Sequence, residues 1–293
     1  MDENKIIKHF GEEFYIKVLN DLECYAYLWG LSDFNQVDYY SVNCIFKCFS
    51  EKYGMCILKI GRPSIETQTE YHTLREYNDS GKFCKVHEAD INNGVLLIER
   101  VIPGTQLRNE PCLEKRLELF YELSYGLHIE PVYKTVYPTY LGWVTRITEY
   151  MSSRTDYKLL YEKMIEAEEI CKNLCDKYPN EMLLHGDFHH DNILLDTNKQ
   201  YRIIDPKGVI GDSVFDIPRF ILNEFDDEHN EDFINKFTYI TKSLSAKFNI
   251  PEYDVRCLTH VEMCMANCWN VESAEEPDIG AVLFTEKMMN KML

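Results

Sequence analysis

The segment LLHGDFHHDNILL holds the residues of this chain whose types and spacing could do chemistry. It runs from Leu183 to Leu195 and places three histidines, two aspartates and an asparagine between two apolar ends. Polar groups of this kind are costly to bury unless they have partners. The segment therefore indicates a metal site, an acid–base site, or a site that uses the aspartates and the asparagine for another purpose.

The spacing within the segment distinguishes these alternatives. His185, Asp187 and Asn192 form the pattern H-x-D-x-x-x-x-N, and Asp205 follows in RIIDPKG. In a phosphoryl-transfer site, one aspartate accepts the proton of the attacking hydroxyl, while an asparagine and a second aspartate hold magnesium. Magnesium prefers hard oxygen ligands, whereas imidazole suits zinc, copper or iron. We therefore predict that Asp187 is the base and that Asn192 and Asp205 are magnesium ligands.

The residues around these three support the same interpretation. NILLD and YRIID read as two paired strands, so Asn192 at the start of one and Asp205 at the end of the other are expected to face the same space. His185 is expected to hydrogen-bond the loop backbone. Adjacent residues rarely converge on one ion, so we predict surface or loop-packing roles for His189 and His190.

A phosphoryl-transfer cleft also needs a lysine that binds the phosphates and a carboxylate that holds this lysine. The apolar strand MCILKI offers Lys59. The helix that follows offers Glu70, the central one of three glutamates that include Glu66 and Glu76. We predict Lys59 and Glu70 as this pair.

The rest of the nucleotide site has weaker signals. No G-x-G-x-x-G loop precedes MCILKI, and the corresponding hairpin reads VDYYSVNCIF. Ser41 and Asn43 are its small polar residues, and their backbone N–H groups are candidates for phosphate binding. The segment from Glu99 to Val101 in LLIERVIPG is expected to bind the adenine ring through its backbone.

The elements that must position these residues predict two lobes. Residues 43–49 and 55–60 read as a hairpin, followed by a helix over 65–77 and two strands, VHEAD and GVLLIERV. Beyond Pro103-Gly104 the pattern is mostly helical, and the predicted helices span residues 113–128, 157–178, 216–223, 231–248 and 254–271.

The predicted fold class is therefore α+β with two lobes. Residues 1–98 form a small antiparallel-sheet N-lobe with one main helix, and residues 99–104 form a hinge. Residues 105–293 form a larger helical C-lobe with the catalytic loop and the acceptor site. Ligand sites favour the cleft between such lobes.

Composition excludes several classes of function. The chain has 293 residues and a net charge of −18, so a basic nucleic-acid-binding surface is not expected. Its first residues lack a signal peptide pattern, and no apolar run is long enough to span a bilayer, so we expect a cytoplasmic protein without a membrane partner. The eleven cysteines include no C-x-x-C pair and are expected to be buried thiols.

The motifs resemble those of the aminoglycoside phosphotransferases. LLHGDFHHDNILL and IDPKGVIGDSVFD are similar to the streptomycin and hydroxyurea resistance branch, in which H-G-D-x-H-H-x-N and D-P-K-G-x-x-G-D-x-x-x-D recur. ERVIPGTQL and ANCWNVE are similar to the same branch. Phe188 stands where Leu is common, and Ser213 stands where Pro is usual.

This resemblance implies a protein-kinase-like fold, ATP or GTP as the phosphate donor, Mg²⁺, and a hydroxyl of a small molecule as the acceptor. It assigns to Asp187, Asn192, Asp205 and Lys59 the roles given above. It also implies that Asp216 braces the catalytic loop. The sequence around Asp216 equally predicts an N-cap for the helix DIPRFIL.

The acceptor implied by the resemblance is a streptomycin-like, cationic aminoglycoside. Carboxylates and an aromatic wall suit such a ligand, and Glu262, Trp269 and Glu272 are the candidates. The alternatives are a housekeeping kinase for a sugar, an amino alcohol or an amino acid, and an inactive nucleotide-binding regulator. A protein kinase would need an A-P-E motif after Asp205, which is absent. We expect a monomer or a weak dimer.

Overall fold

The computed structural model describes residues 1–37, 42–225 and 231–291. In chain order its helices and strands are α1 (Glu3–Phe10), α2 (Glu12–Leu28), β1 (Leu31–Gln36), β2 (Cys44–Ser50), β3 (Gly54–Ile60), α3 (Ile65–Glu76), β4 (Val86–Asp90), β5 (Val95–Glu99), β6 (Pro103–Gln106), α4 (Leu113–Ser124), α5 (Tyr140–Ser152), α6 (Lys158–Lys177), β7 (Met182–Leu184), β8 (Ile193–Asp196), β9 (Tyr201–Ile203), β10 (Val209–Gly211), α7 (Ile217–Leu222), α8 (Glu231–Phe248), α9 (Glu252–Glu272) and α10 (Ile279–Asn290).

The chain divides into two compact units. The first comprises Met1–Thr105 and Leu194–Asp205, and the second comprises Gln106–Ile193 and Pro206–Leu293. The first break lies close to the end of the predicted hinge. Residues 194–205, which we predicted within the C-lobe, belong instead to the first unit, because β8 pairs with β6 in one sheet.

An antiparallel five-stranded sheet forms the centre of the first unit. Its strand order is β1-β2-β3-β5-β4, so β3 has a partner on each side. A strand in this position buries most of its side chains, and Cys56, Leu58 and Ile60 are fully buried. Lys59, on the same strand, is buried as well.

The described residues of the first unit form three helices, α1, α2 and α3. Helix α2 packs Phe14, Val18 and Tyr25 into the same core as the sheet. Asp21 interrupts this apolar stripe, which weakens the helical pattern in the sequence. Its carboxylate is satisfied by Lys17 and by the Asn93 amide, and the Asn93 Nδ2–Asp21 Oδ1 distance is 2.9 Å.

Strands β6, β8 and β9 form a small sheet in that order. The turn between β8 and β9 is closed by Asp196, whose Oδ1 accepts hydrogen bonds from the N–H groups of Asn198 and Gln200. Asp205 follows β9 with φ +58°. Aspartate tolerates this left-handed conformation better than most residues.

The second unit is built around helix α9. This helix contacts α5, α6, α7, α8 and α10 and is buried on almost every side. Strands β7 and β10 form an antiparallel pair beside these helices. Helix α4 ends at Ser124, earlier than predicted, and Gly126 follows with φ +61°. Within the described residues, every helix is too short or too polar to cross a bilayer.

Candidate functional site

Lys59 is the central residue of the candidate site in the first unit. Its Nζ lies 2.6 Å from Glu70 Oε1 and 2.5 Å from Asp205 Oδ1. Burial alone would lower the pKa of Lys59, but the charges of Asp205 and Glu70 raise it above its ordinary value. The ammonium group is therefore charged and held between two carboxylates. Of the three glutamates on α3, Glu70 is the one that pairs with Lys59, and Glu66 is exposed.

The other nucleotide-binding residues that the structure describes, Asn43, Glu99 and Val101, lie in the same unit as Lys59. Ser41 lies outside the described residues. Asn43 is half-buried just before β2. Glu99 ends β5, and its N–H donates to the Lys85 carbonyl at 2.8 Å. The N–H of Val101 makes no backbone hydrogen bond with the described part of the chain.

Asp216 holds the loop that carries Asp187 by accepting hydrogen bonds from its backbone. One carboxylate oxygen of Asp216 accepts the N–H of His185 at 2.8 Å, and the other accepts the N–H of Gly186 at 2.7 Å. His128 Nε2 lies 2.9 Å from the first oxygen. The His185 ring in turn accepts the N–H of Asp187 at 3.1 Å. Asp216 stands at the N-cap position of α7, but its side chain makes no capping hydrogen bond.

Gly186 allows the sharp turn in front of Asp187. Its φ is +77°, and a Cβ at this position would lie 2.8 Å from the Trp143 ring and 3.0 Å from Val209 Cγ1. Any other residue would be strained in this conformation and would also collide with these neighbours. The glycine of the H-G-D motif is therefore required by the backbone and by packing.

The carboxylate of Asp187 faces two cationic or polar side chains. Oδ1 lies 3.3 Å from Arg219 Nε and 3.5 Å from His189 Nε2. Burial raises the pKa of Asp187, but His189 and Arg219 together lower it below its ordinary value. Asp187 is therefore ionised at neutral pH. Asn192 donates its Nδ2 to the Asp187 carbonyl at 2.9 Å, so the amide oxygen is the atom available to a cation.

The two adjacent histidines differ in their surroundings. His190 is buried, stacks on Phe220, and has its Nε2 2.7 Å from Glu224 Oε1. This is a loop-packing role, as the sequence predicts. His189 instead lies beside Asp187 and 3.3 Å from Asn192 Nδ2, a position that sequence reasoning missed. Among the described residues, no group of three histidine, cysteine, aspartate or glutamate side chains could hold a metal ion.

Glu262 lies inside the protein rather than on an open acceptor surface. It is buried in α9, and the Tyr140 hydroxyl donates to its Oε2 at 2.5 Å. Its Oε1 lies 2.6 Å from Arg219 Nη2. Burial raises the pKa of Glu262, although Arg219 opposes this effect. Both of its carboxyl oxygens are therefore already contacted within the chain, one by Tyr140 and the other by Arg219.

The other two predicted acceptor residues also have partners. Trp269 is half-buried, with its ring edge-to-face against Trp143 at a centroid distance of 5.9 Å. Glu272 forms a bidentate pair with Arg146 at 2.7 and 2.9 Å. Arg219 lies near the Trp269 ring, 5.5 Å from its centroid. Sequence reasoning missed Arg219, because its contacts come from distant parts of the chain.

Solved structures with a similar fold are kinases of small molecules. The choline kinase LicA from Streptococcus pneumoniae matches with a TM-score of 0.66 and 13% identity, over 93% of this chain and 97% of that chain. A choline/ethanolamine kinase family protein from Mesorhizobium loti matches with a TM-score of 0.65 and 15% identity, over 89% of each chain.

An antibiotic kinase has the same fold. Aminoglycoside phosphotransferase APH(4)-Ia, in a complex with ADP and hygromycin B, matches with a TM-score of 0.63 and 10% identity, over 92% of this chain and 96% of that chain. These similarities confirm the predicted α+β, protein-kinase-like fold.

The sequence itself identifies the family. No curated protein sequence matches the chain. A family described as aminoglycoside/hydroxyurea antibiotic resistance kinase matches residues 44–273, which confirms the resemblance seen in the motifs. The chain is therefore a phosphotransferase and belongs to the aminoglycoside/hydroxyurea antibiotic resistance kinase family.

Proposed function

We propose that the protein transfers the γ-phosphate of ATP or GTP to a hydroxyl of a streptomycin-like aminoglycoside. The family match supports this acceptor class. The observation that carries the chemistry is the buried lysine of β3, whose charge is held between Glu70 and Asp205. An arrangement of this kind binds the phosphates of a nucleotide in kinases.

The first unit supplies the nucleotide-binding groups in this proposal. Lys59 binds the phosphates, and Glu70 keeps the lysine in place. The backbone N–H group of Asn43 approaches the phosphates, and the segment from Glu99 to Val101 binds the base. Two solved relatives of the fold contain nucleotides, since LicA was crystallised with AMP and APH(4)-Ia with ADP.

The donor atoms of Asn192 and Asp205 fit a magnesium ion. They are an amide oxygen and a carboxylate, which are the hard ligands that magnesium prefers. Magnesium bound to ligands of this kind would neutralise charge on the phosphates.

The second unit supplies the acceptor chemistry. Asp187 accepts the proton of the acceptor hydroxyl, while the hydroxyl oxygen bonds to the γ-phosphorus and the bond to the nucleoside diphosphate breaks. An ionised Asp187 suits this role because it must be able to take up a proton. Asp216 and His185 hold the loop so that Asp187 keeps its position.

Release of nucleoside diphosphate across a panel of acceptors tests the proposal. The panel contains streptomycin, other aminoglycosides, choline, homoserine and simple sugars, each with ATP and with GTP. We expect turnover with streptomycin or a related aminoglycoside. Turnover with choline, homoserine or a sugar, and with no aminoglycoside, would instead support a housekeeping kinase for a sugar, an amino alcohol or an amino acid.

A further inference from the structure

Arg219 connects the proposed catalytic base to a buried acidic group of helix α9. Its Nε lies 3.3 Å from Asp187 Oδ1, and its Nη2 lies 2.6 Å from Glu262 Oε1. The Tyr140 hydroxyl donates to the other oxygen of Glu262 at 2.5 Å. The guanidinium lies 5.5 Å from the centroid of the Trp269 ring. One planar cation therefore contacts two carboxylates through different nitrogen atoms.

Arg219 makes more contacts than are needed to pair the charge of Glu262. Glu262 already receives the Tyr140 hydroxyl, and one edge of the guanidinium would be enough to pair it. The Nε of Arg219 faces Asp187 instead, and it completes no hydrogen bond of regular geometry with the described residues. Contacts of catalytic groups are often long in the absence of substrate and tighten when it binds.

We propose that Arg219 is a positioning residue for Asp187. It holds Oδ1 of Asp187, so that Oδ2 is the oxygen directed to the acceptor hydroxyl. Glu262 and Tyr140 fix the guanidinium in turn, so Glu262 acts through Arg219 and does not bind the acceptor. This inference rests on the proposed role of Asp187 as the base.

Steady-state kinetics of Arg219→Met and Arg219→Lys, with streptomycin and saturating MgATP, test the inference. We expect Arg219→Met to lower kcat about 100-fold, because a small misplacement of a catalytic group has an effect of this size. KM for both substrates should change little, since Arg219 does not contact them. Arg219→Lys should recover part of kcat because it restores the charge.

Coupling between Arg219 and Glu262 gives a second readout. Glu262→Gln should lower kcat less than Arg219→Met, and the double variant should be no worse than Arg219→Met alone, because both changes act on one contact. Arg256→Met is the matched control. Arg256 is a buried arginine of α9 paired with Glu252, so its loss should lower stability without changing kcat of the folded enzyme.

The outcomes separate the inference from the proposed function. The inference would be overturned if Arg219→Met had a normal kcat or raised only the KM for streptomycin. If Asp187→Asn were inactive in the same assays, the assignment of Asp187 as the base would still hold. Normal transfer by Asp187→Asn would overturn both. If streptomycin is not phosphorylated, the same variants can be compared by ATP hydrolysis. In that assay water replaces the acceptor hydroxyl, and the release of phosphate from MgATP is measured.

Discussion

The two units of the chain hold their proposed functional groups in different ways. In the first unit, one buried lysine is paired with two carboxylates, Glu70 and Asp205. In the second unit, Asp187 lies on a loop that is fixed at many points by other side chains. The comparison indicates that the backbone of a central strand positions Lys59, whereas the loop that carries Asp187 is positioned by side-chain contacts.

Besides the contact of Arg219 with Asp187, three further contacts anchor the loop. Asp216 binds the backbone N–H groups before Asp187. Glu224 binds His190 and forms a bidentate pair with Arg116 at 2.7 and 2.6 Å. Asp191 forms a bidentate pair with Arg108. Each anchor comes from a different part of the chain, so the loop is restrained on several sides.

The largest expected effect distinguishes the roles of the two units. Asp187→Asn should lower kcat for phosphoryl transfer by roughly 10²–10⁴-fold, the usual contribution of a general base. Its affinity for ATP should remain, because the nucleotide-binding groups lie in the other unit. Isothermal titration with MgATP and assays of ADP release measure both quantities. Loss of ATP binding in this variant would contradict the division of roles.

Lys59→Met should instead weaken nucleotide binding. A hydrogen bond to a charged group contributes about 1.5–3 kcal/mol, so the Kd for ATP should rise about tenfold or more. Lys52→Met is the control, since Lys52 is an exposed lysine of the same unit paired with Glu88. A Kd that is equal in the two variants would show that Lys59 does not bind the phosphates.

A pH-dependent effect on stability should come from Glu224. Burial raises the pKa of Glu224, but His190 and Arg116 lower it below its ordinary value of 4.5. The unfolded chain therefore binds more protons there, and this contribution to stability is present above about pH 4.5 and lost as the pH falls below it. Urea unfolding between pH 3 and 7 should show a shallower acid loss for Glu224→Gln, whose free energy of unfolding at pH 7 is lower by about 3 kcal/mol. Equal acid slopes in the two proteins would contradict this assignment.

The smallest effect is expected at the outer anchor of the loop. Arg108 and Asp191 are both partly exposed, so water and salt screen their attraction. Arg108→Ala should lower the free energy of unfolding by at most about 1 kcal/mol. Thermal unfolding in low and high salt measures this effect. If Arg108→Ala lowered the free energy of unfolding as much as Glu224→Gln does, the exposed and the buried pairs would contribute equally to stability, which would contradict this prediction.

The sequence predicted the parts of the site that belong to short motifs. The spacing of Asp187, Asn192 and Asp205 indicated phosphoryl transfer, and Lys59 and Glu70 followed from their place on a strand and the next helix. Four strands of the central sheet, β2 to β5, were predicted within a few residues, whereas β1 was not predicted. These signals are local, because a strand or a loop motif is encoded by consecutive residues.

The supporting contacts could not be predicted because they join distant residues. Arg219 reads as part of a helix start, and only the packing of α7 on α9 brings it to Glu262. We predicted the same surface or loop-packing roles for His189 and His190, although His189 lies beside Asp187 and His190 lies beside Glu224. Helices α2 and α5 were missed because polar or β-branched residues interrupt their apolar stripes. Asp21 does so in α2, and Gly142 and Thr145 weaken the pattern in α5.

Mass spectrometry of the acceptor tests the central claim most directly. Streptomycin would be incubated with MgATP and either the wild-type protein or the Asp187→Asn variant. The account predicts that the wild-type protein adds the mass of one phosphoryl group to streptomycin and that the variant forms roughly 10²–10⁴-fold less of this product in the same early time interval. Unmodified streptomycin with the wild-type protein, under conditions in which choline or a sugar gains a phosphoryl group, would contradict it.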